Sequence, residues 1–67
     1  ELSRTLVVED SLYALQTAGN AGFLTAGIYD ALGEPDQEQL KKDAYIYCRD
    51  LTELQNYIFA ENGGNQR

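Results

Sequence analysis

Hydrophobic positions change their spacing several times along this chain, and each change marks a predicted element. Thr5-Leu6-Val7-Val8 is a short apolar run that stops abruptly at Glu9-Asp10-Ser11. Continuous aliphatic and β-branched residues suit a strand buried on both faces, as in a parallel sheet. Leu12, Leu15, Ala18 and Gly22 then recur near helical spacing, with Ala14 and Ala21 beside them. Asp10 or Ser11 can cap that helix, whose first N–H groups need acceptors. Gly22 fits the left-handed stop after it, and Gly19 inside it costs ~1 kcal/mol relative to alanine. Phe23 to Tyr29 reads as a second strand, and Asp30 to Pro35 as a turn-rich loop punctuated by Gly33 and Pro35. Asp36 to Ala44 has helical composition, opening with acids and closing on Lys41 and Lys42, which suits the helix dipole. Tyr45-Ile46-Tyr47-Cys48 is a short third strand. Asp50 with Glu53 has capping-box spacing, and Leu51, Leu54, Tyr57 and Ile58 form one face of a last helix. Asn, Gly and Gln dominate from Glu61 onward, so residues 61–67 are expected to fray.

The predicted order is strand, helix, strand, helix, strand, helix. Such alternation means parallel strands joined by right-handed crossovers. The fold class is therefore α/β, a three-layer Rossmann-like βαβαβα unit with a parallel sheet over residues 1–60. A sheet edge is expected to stay bare unless an N-terminal part or a second copy of the chain covers it.

Composition narrows the function classes. The chain has 67 residues, at most one domain, and its net charge is −6. An acidic surface repels nucleic acid, and no Lys/Arg stripe offsets it. No apolar run approaches the ~20 residues that span a bilayer, so no membrane partner is expected. The single cysteine, Cys48, excludes an internal disulfide and points to a reducing, cytoplasmic setting. There is no histidine, which makes structural zinc untenable. A chain without methionine that opens on Glu1 is expected to be an excised or processed piece of a longer protein.

The candidate chemistry lies at Glu9 and Asp10. In open α/β sheets, ligands bind beyond the carboxyl ends of the strands. Two adjacent carboxylates there offer the hard oxygens that Mg²⁺ takes, and the following helix N-terminus favours a phosphate nearby. The plainer reading is that Asp10 or Ser11 only caps the helix while Glu9 is solvated.

Val7-Val8-Glu9-Asp10-Ser11 followed by Thr17-Ala18-Gly19-Asn20-Ala21-Gly22 resembles the fourth motif of haloacid-dehalogenase-like hydrolases, the β-phosphoglucomutase and sugar-phosphate phosphatase subgroup in particular. The Tyr45 to Leu54 stretch looks like that family's last strand and helix, so the resemblance runs from about Thr5 to Ala60. Ala14 stands where a glycine is common, and Gly19-Asn20 where helix-favouring residues are usual. The resemblance implies the C-terminal part of a Mg²⁺-dependent phosphatase or phosphomutase acting on small phosphorylated metabolites through an aspartyl-phosphate. Asp10 would bind Mg²⁺ directly, Glu9 directly or through water, and Ser11 would cap the helix near the phosphate. The family's nucleophile and acid/base residues lie in an Asp-x-Asp motif, which this chain lacks. The segment alone is therefore expected to be inactive, with the remainder of a core domain as its partner.

Leu6-Val7-Val8-Glu9-Asp10-Ser11 also resembles the opening of response-regulator receiver domains. Receivers use a longer first helix and a phosphate-accepting aspartate, usually followed by Met-Pro, for which Asp50 is the nearest match. The alternative function is thus a non-catalytic, receiver-like or self-associating module. Cys48 reads as a buried strand residue, since no histidine is present to activate it. The five tyrosines read as packing groups with wet hydroxyls.

Overall fold

The computed structural model describes residues 1–61. A 3-10 turn over Leu2–Arg4 leads into strand β1 (Leu6–Glu9), helix α1 (Leu12–Asn20) and strand β2 (Leu24–Ile28). A second 3-10 turn, Ala31–Asp36, runs into helix α2 (Gln37–Asp43), followed by strand β3 (Ile46–Cys48) and helix α3 (Leu51–Glu61). The expected α/β order is present, and the three strands form one parallel sheet in the order β1-β2-β3. Each boundary lies within a residue or two of the sequence expectation. Of the tail expected to fray, Glu61 closes α3 and residues 62–67 lie outside the described residues.

Alternation along β2 divides the molecule into three layers. Ala26 packs with Cys48 and Leu54, joined by Leu6, Ile28 and Ile46, so α3 covers this face. Thr25 and Gly27 face the other way, toward α1 and α2, as period-two geometry requires. Leu15 of α1 and Leu40 of α2 are the largest fully buried side chains. Both meet the sheet at Gly27, where an added Cβ would lie 3.1 Å from Leu40 Cγ and 3.3 Å from Leu15 Cδ1. The glycine lets the two crossover helices settle closely on the central strand. Thr25 is buried beside it, and its hydroxyl oxygen accepts from the Tyr45 N–H, so the polar atom is satisfied.

Helix ends follow local chemistry. After α1, Gly22 takes φ 106°, its N–H donates to the Gly19 carbonyl, and the Phe23 N–H donates to the Ala18 carbonyl. This is a Schellman stop, which needs a residue tolerant of positive φ. The Asp50 carboxylate accepts from the Glu53 N–H at the start of α3, and the Glu53 carboxylate accepts from the Arg49 N–H. The two residues thus form the reciprocal pair their spacing predicts, shifted by one at the donor.

The α3 layer covers only part of its face. Val8 of β1 remains 42% exposed and Leu51 65% exposed. With three strands, the outer edges of both β1 and β3 are unpaired among the described residues. No helix among them is long and apolar enough to cross a membrane.

Gly27→Val would drive two methyl-bearing branches into Leu15 and Leu40. We expect a loss of about 1–3 kcal/mol in urea-denaturation stability, and an unchanged midpoint would contradict this packing.

Candidate functional site

Parallel register brings the three strand ends to one side of the sheet. Glu9 pairs with Gly27, and Ile28 pairs with Cys48. The chain therefore leaves the sheet there three times, through Glu9-Asp10, Tyr29-Asp30 and Arg49-Asp50.

The three aspartates at these exits have different employment. Asp30 accepts from the Leu32 N–H at 3.3 Å and so caps the 3-10 turn. Asp50 caps α3 through the Glu53 N–H at 2.9 Å. At the start of α1, however, the cap is Ser11, whose Oγ accepts from the Ala14 N–H at 3.3 Å. Between the two capping candidates the fold selects Ser11, because that residue takes the extended backbone angles (φ −106°, ψ 129°) of a cap. The side chains of Asp10 and Glu9 consequently make no hydrogen bond or ion pair among the described residues. Two adjacent carboxylates remain open at a strand end and a helix start.

The structure brings some of the predicted residues together and parts others. Asp10 and Ser11 line a cleft of about 290 Å³ with Asp30, Asp36 and Gln37. Glu9 lines a different cleft, about 270 Å³, with Val8, Asp10, Ile28 and Leu51. Asp10 borders both. The Asp30 to Pro35 stretch, a loop by sequence, walls the Asp10 cleft through a turn that includes no sequence-predicted site residue. The only available signal was that Asp30, like Asp10, follows a predicted strand.

Among the described residues, no group of three or more His, Cys, Asp or Glu side chains is placed to hold a metal ion. The open donors are nonetheless all carboxylate oxygens, the kind Mg²⁺ takes, and Mg²⁺ keeps several waters. Glu9 and Asp10 fit such an ion as part of a site whose remaining ligands come from water or elsewhere.

Strand order bears on the receiver resemblance. In the flavodoxin-like order that receivers use, the first strand lies between the second and third. Here β2 is central, so Asp50 lies two strands away from Asp10. Asp50 is also engaged as a cap.

Cys48 is 3% exposed. Burial, followed by the nearby Glu53 and Asp50 charges, pushes its thiol above the ordinary value, so it stays protonated and unreactive at neutral pH. Comparison with protein-family models, curated proteins and solved structures finds no match to this chain.

Proton binding predicts an alkaline weakness. Cys48 is raised from 9.0 by burial, Tyr29 from 10.0 chiefly by its hydrogen bond to Glu34, and Tyr47 from 10.0 by burial. Each group holds its proton more tightly folded than unfolded. The stability they contribute is therefore complete below 9.0 and is lost as pH rises through the raised folded values. Denaturant midpoints should fall above pH 10.0, and a midpoint that rises there would contradict the assignment.

Proposed function

We propose that this chain is the acidic-motif portion of a Mg²⁺-dependent phosphatase or phosphomutase of the haloacid-dehalogenase-like kind, acting on small phosphorylated metabolites in the cytoplasm. One observation carries the reading: Ser11 takes the helix cap, which leaves the Glu9 and Asp10 carboxylates open at the carboxyl end of β1. Asp30 and Asp50 are engaged as caps, whereas the side chains of Glu9 and Asp10 have no such task among the described residues.

The bare edge of β1 supports the same reading. A parallel strand added there would lie about 4.8 Å away. If it ended in Asp-x-Asp, its carboxylates would stand beside Asp10. In such an enzyme one aspartate attacks phosphorus, the bond to the leaving oxygen breaks, and the second aspartate gives that oxygen its proton. Water then hydrolyses the aspartyl-phosphate. Bound Mg²⁺ neutralises charge on the transferring phosphoryl group. Asp10 would hold it directly, with Glu9 direct or through water. Ser11 fixes the first turn of α1, whose N–H groups favour a phosphate nearby. Lys41 and Lys42 lie in the last turn of α2 and serve its dipole instead.

The chain has no Asp-x-Asp of its own, so the 67 residues alone carry no turnover in this reading. Its partner is the remainder of a core domain, with no part for nucleic acid or membrane. The exposed Val8 and Leu51 beside the bare edge favour a second reading, a non-catalytic module that covers this surface with another copy.

Calorimetric titration with Mg²⁺ tests the proposal. Asp10→Asn should weaken binding by about tenfold or more, at least what the loss of an outer-shell group typically costs, while Asp50→Asn leaves it unchanged. Equal affinity of Asp10→Asn and the native chain would overturn the reading.

A further inference from the structure

Helix α3 is apolar over a wider arc than its own sheet uses. Leu54 is its buried contact, packed with Ala26 and Cys48. At about 100° per residue, Ile58, Leu51 and Phe59 lie about 40°, 60° and 140° round the helix from Leu54, all in one direction. That direction is toward β1, because Leu51 shares a hollow with Val8 and Ile28. Leu51 and Phe59 are each 65% exposed and Val8 is 42% exposed. A helix whose apolar stripe runs past its own core, beside a half-covered sheet face, is shaped for a neighbour on that side.

The surface is also self-complementary. Phe59 stands out from it, and the hollow of about 270 Å³ walled by Val8, Ile28 and Leu51 lies on the same face. A second hollow, about 300 Å³, runs between Leu51 and Phe59. On a two-fold axis the ring of each copy can enter the hollow of the other, which is the defining property of an isologous contact. Size agrees with this. At their exposures Val8, Leu51, Ile58 and Phe59 leave on the order of 350 Å² of apolar surface open, the size of the largest patch on a typical monomer. Two copies would bury about 700 Å² of it, and with a polar margin of ordinary proportion the contact reaches the roughly 1,200 Å² at which stable interfaces begin.

Little else in the chain can do this work. Residues 62–67, Asn-Gly-Gly-Asn-Gln-Arg, bring no apolar side chain to the face. With one cysteine and no histidine, neither an internal disulfide nor structural zinc is available to a chain of 67 residues. Oligomerisation is the staple that remains at this size. The opposing force is charge, −6 on each copy, with Glu9 and Asp10 at the rim of the Val8 hollow.

We propose that two copies of this chain associate through the α3–β1 face, the Phe59 ring of each seated in the Val8–Leu51 hollow of the other. The inference rests on the second reading above, in which another copy covers this surface, and it requires no metal at Asp10.

Sedimentation equilibrium of the 67-residue chain tests it. A monomer–dimer equilibrium should appear and should tighten as NaCl is raised to about 1 M, where the screening length falls to about 3 Å. The urea midpoint should rise with protein concentration. Phe59→Ala should raise the dimer dissociation constant by about thirtyfold or more, as for a central aromatic anchor. Leu51→Ala should act in the same direction, and since both side chains are mostly exposed in the single chain, neither substitution opens its core. Tyr13→Ala, on α1 across the sheet, should leave the constant unchanged. A chain that stays monomeric at millimolar concentration would sink the second reading and this inference together. A dimer indifferent to both Phe59→Ala and Leu51→Ala would leave self-association standing and overturn the α3–β1 face as its seat.

Discussion

The close seating of two helices on Gly27 is the constraint on which the rest of the architecture depends. Leu15 and Leu40 can both be buried over β2 only because that position carries no Cβ. Their packing sets the height of α1 and α2 above the sheet. That height in turn fixes where each helix begins, at the strand ends that carry Asp10 and Asp30. In a chain of 67 residues, which buries about 60% of its unfolded surface, few other contacts have comparable leverage. The opposite layer is thinner. Ala26, Cys48 and Leu54 form its core, while Val8 and Leu51 stay open to solvent.

Much of this was legible in the residues themselves. The Leu6-Val7-Val8 run, the Gly22 stop and the Asp50–Glu53 spacing each carry a local mechanism, and each element formed where that mechanism placed it. The boundaries moved where tertiary pairing outweighed propensity. Glu9 joined β1 because it lies opposite Gly27, although its charge reads as the end of the run. The Asp30 to Pro35 stretch was legible only as a loop, since a 3-10 turn has no apolar periodicity to betray it. What fixes that turn is a glutamine and a tyrosine ten positions apart, Gln37 and Tyr47, and such a pair has no sequence signature. Gly27 was also silent, because inside a strand pattern nothing marks which helix side chains will approach it.

The acidic pair illustrates how a sequence can leave two readings that a fold then weighs. Asp10 and Ser11 are equally good caps by composition. Once Ser11 takes the cap, the carboxylates of Glu9 and Asp10 have no structural employment among the described residues. We propose that these open carboxylates, at the carboxyl end of β1 and beside its unpaired edge, are half of a metal site that a partner strand would complete.

The most direct test of that claim is a crystal of the chain grown with Mn²⁺ in place of Mg²⁺, examined for anomalous scattering. The account predicts a peak within coordination distance of the Asp10 carboxylate, about 2.1 Å as for Mg²⁺, with Glu9 reached directly or through one water. A peak elsewhere, or none at Asp10 under saturating metal, would contradict it and return the pair to a solvated strand end.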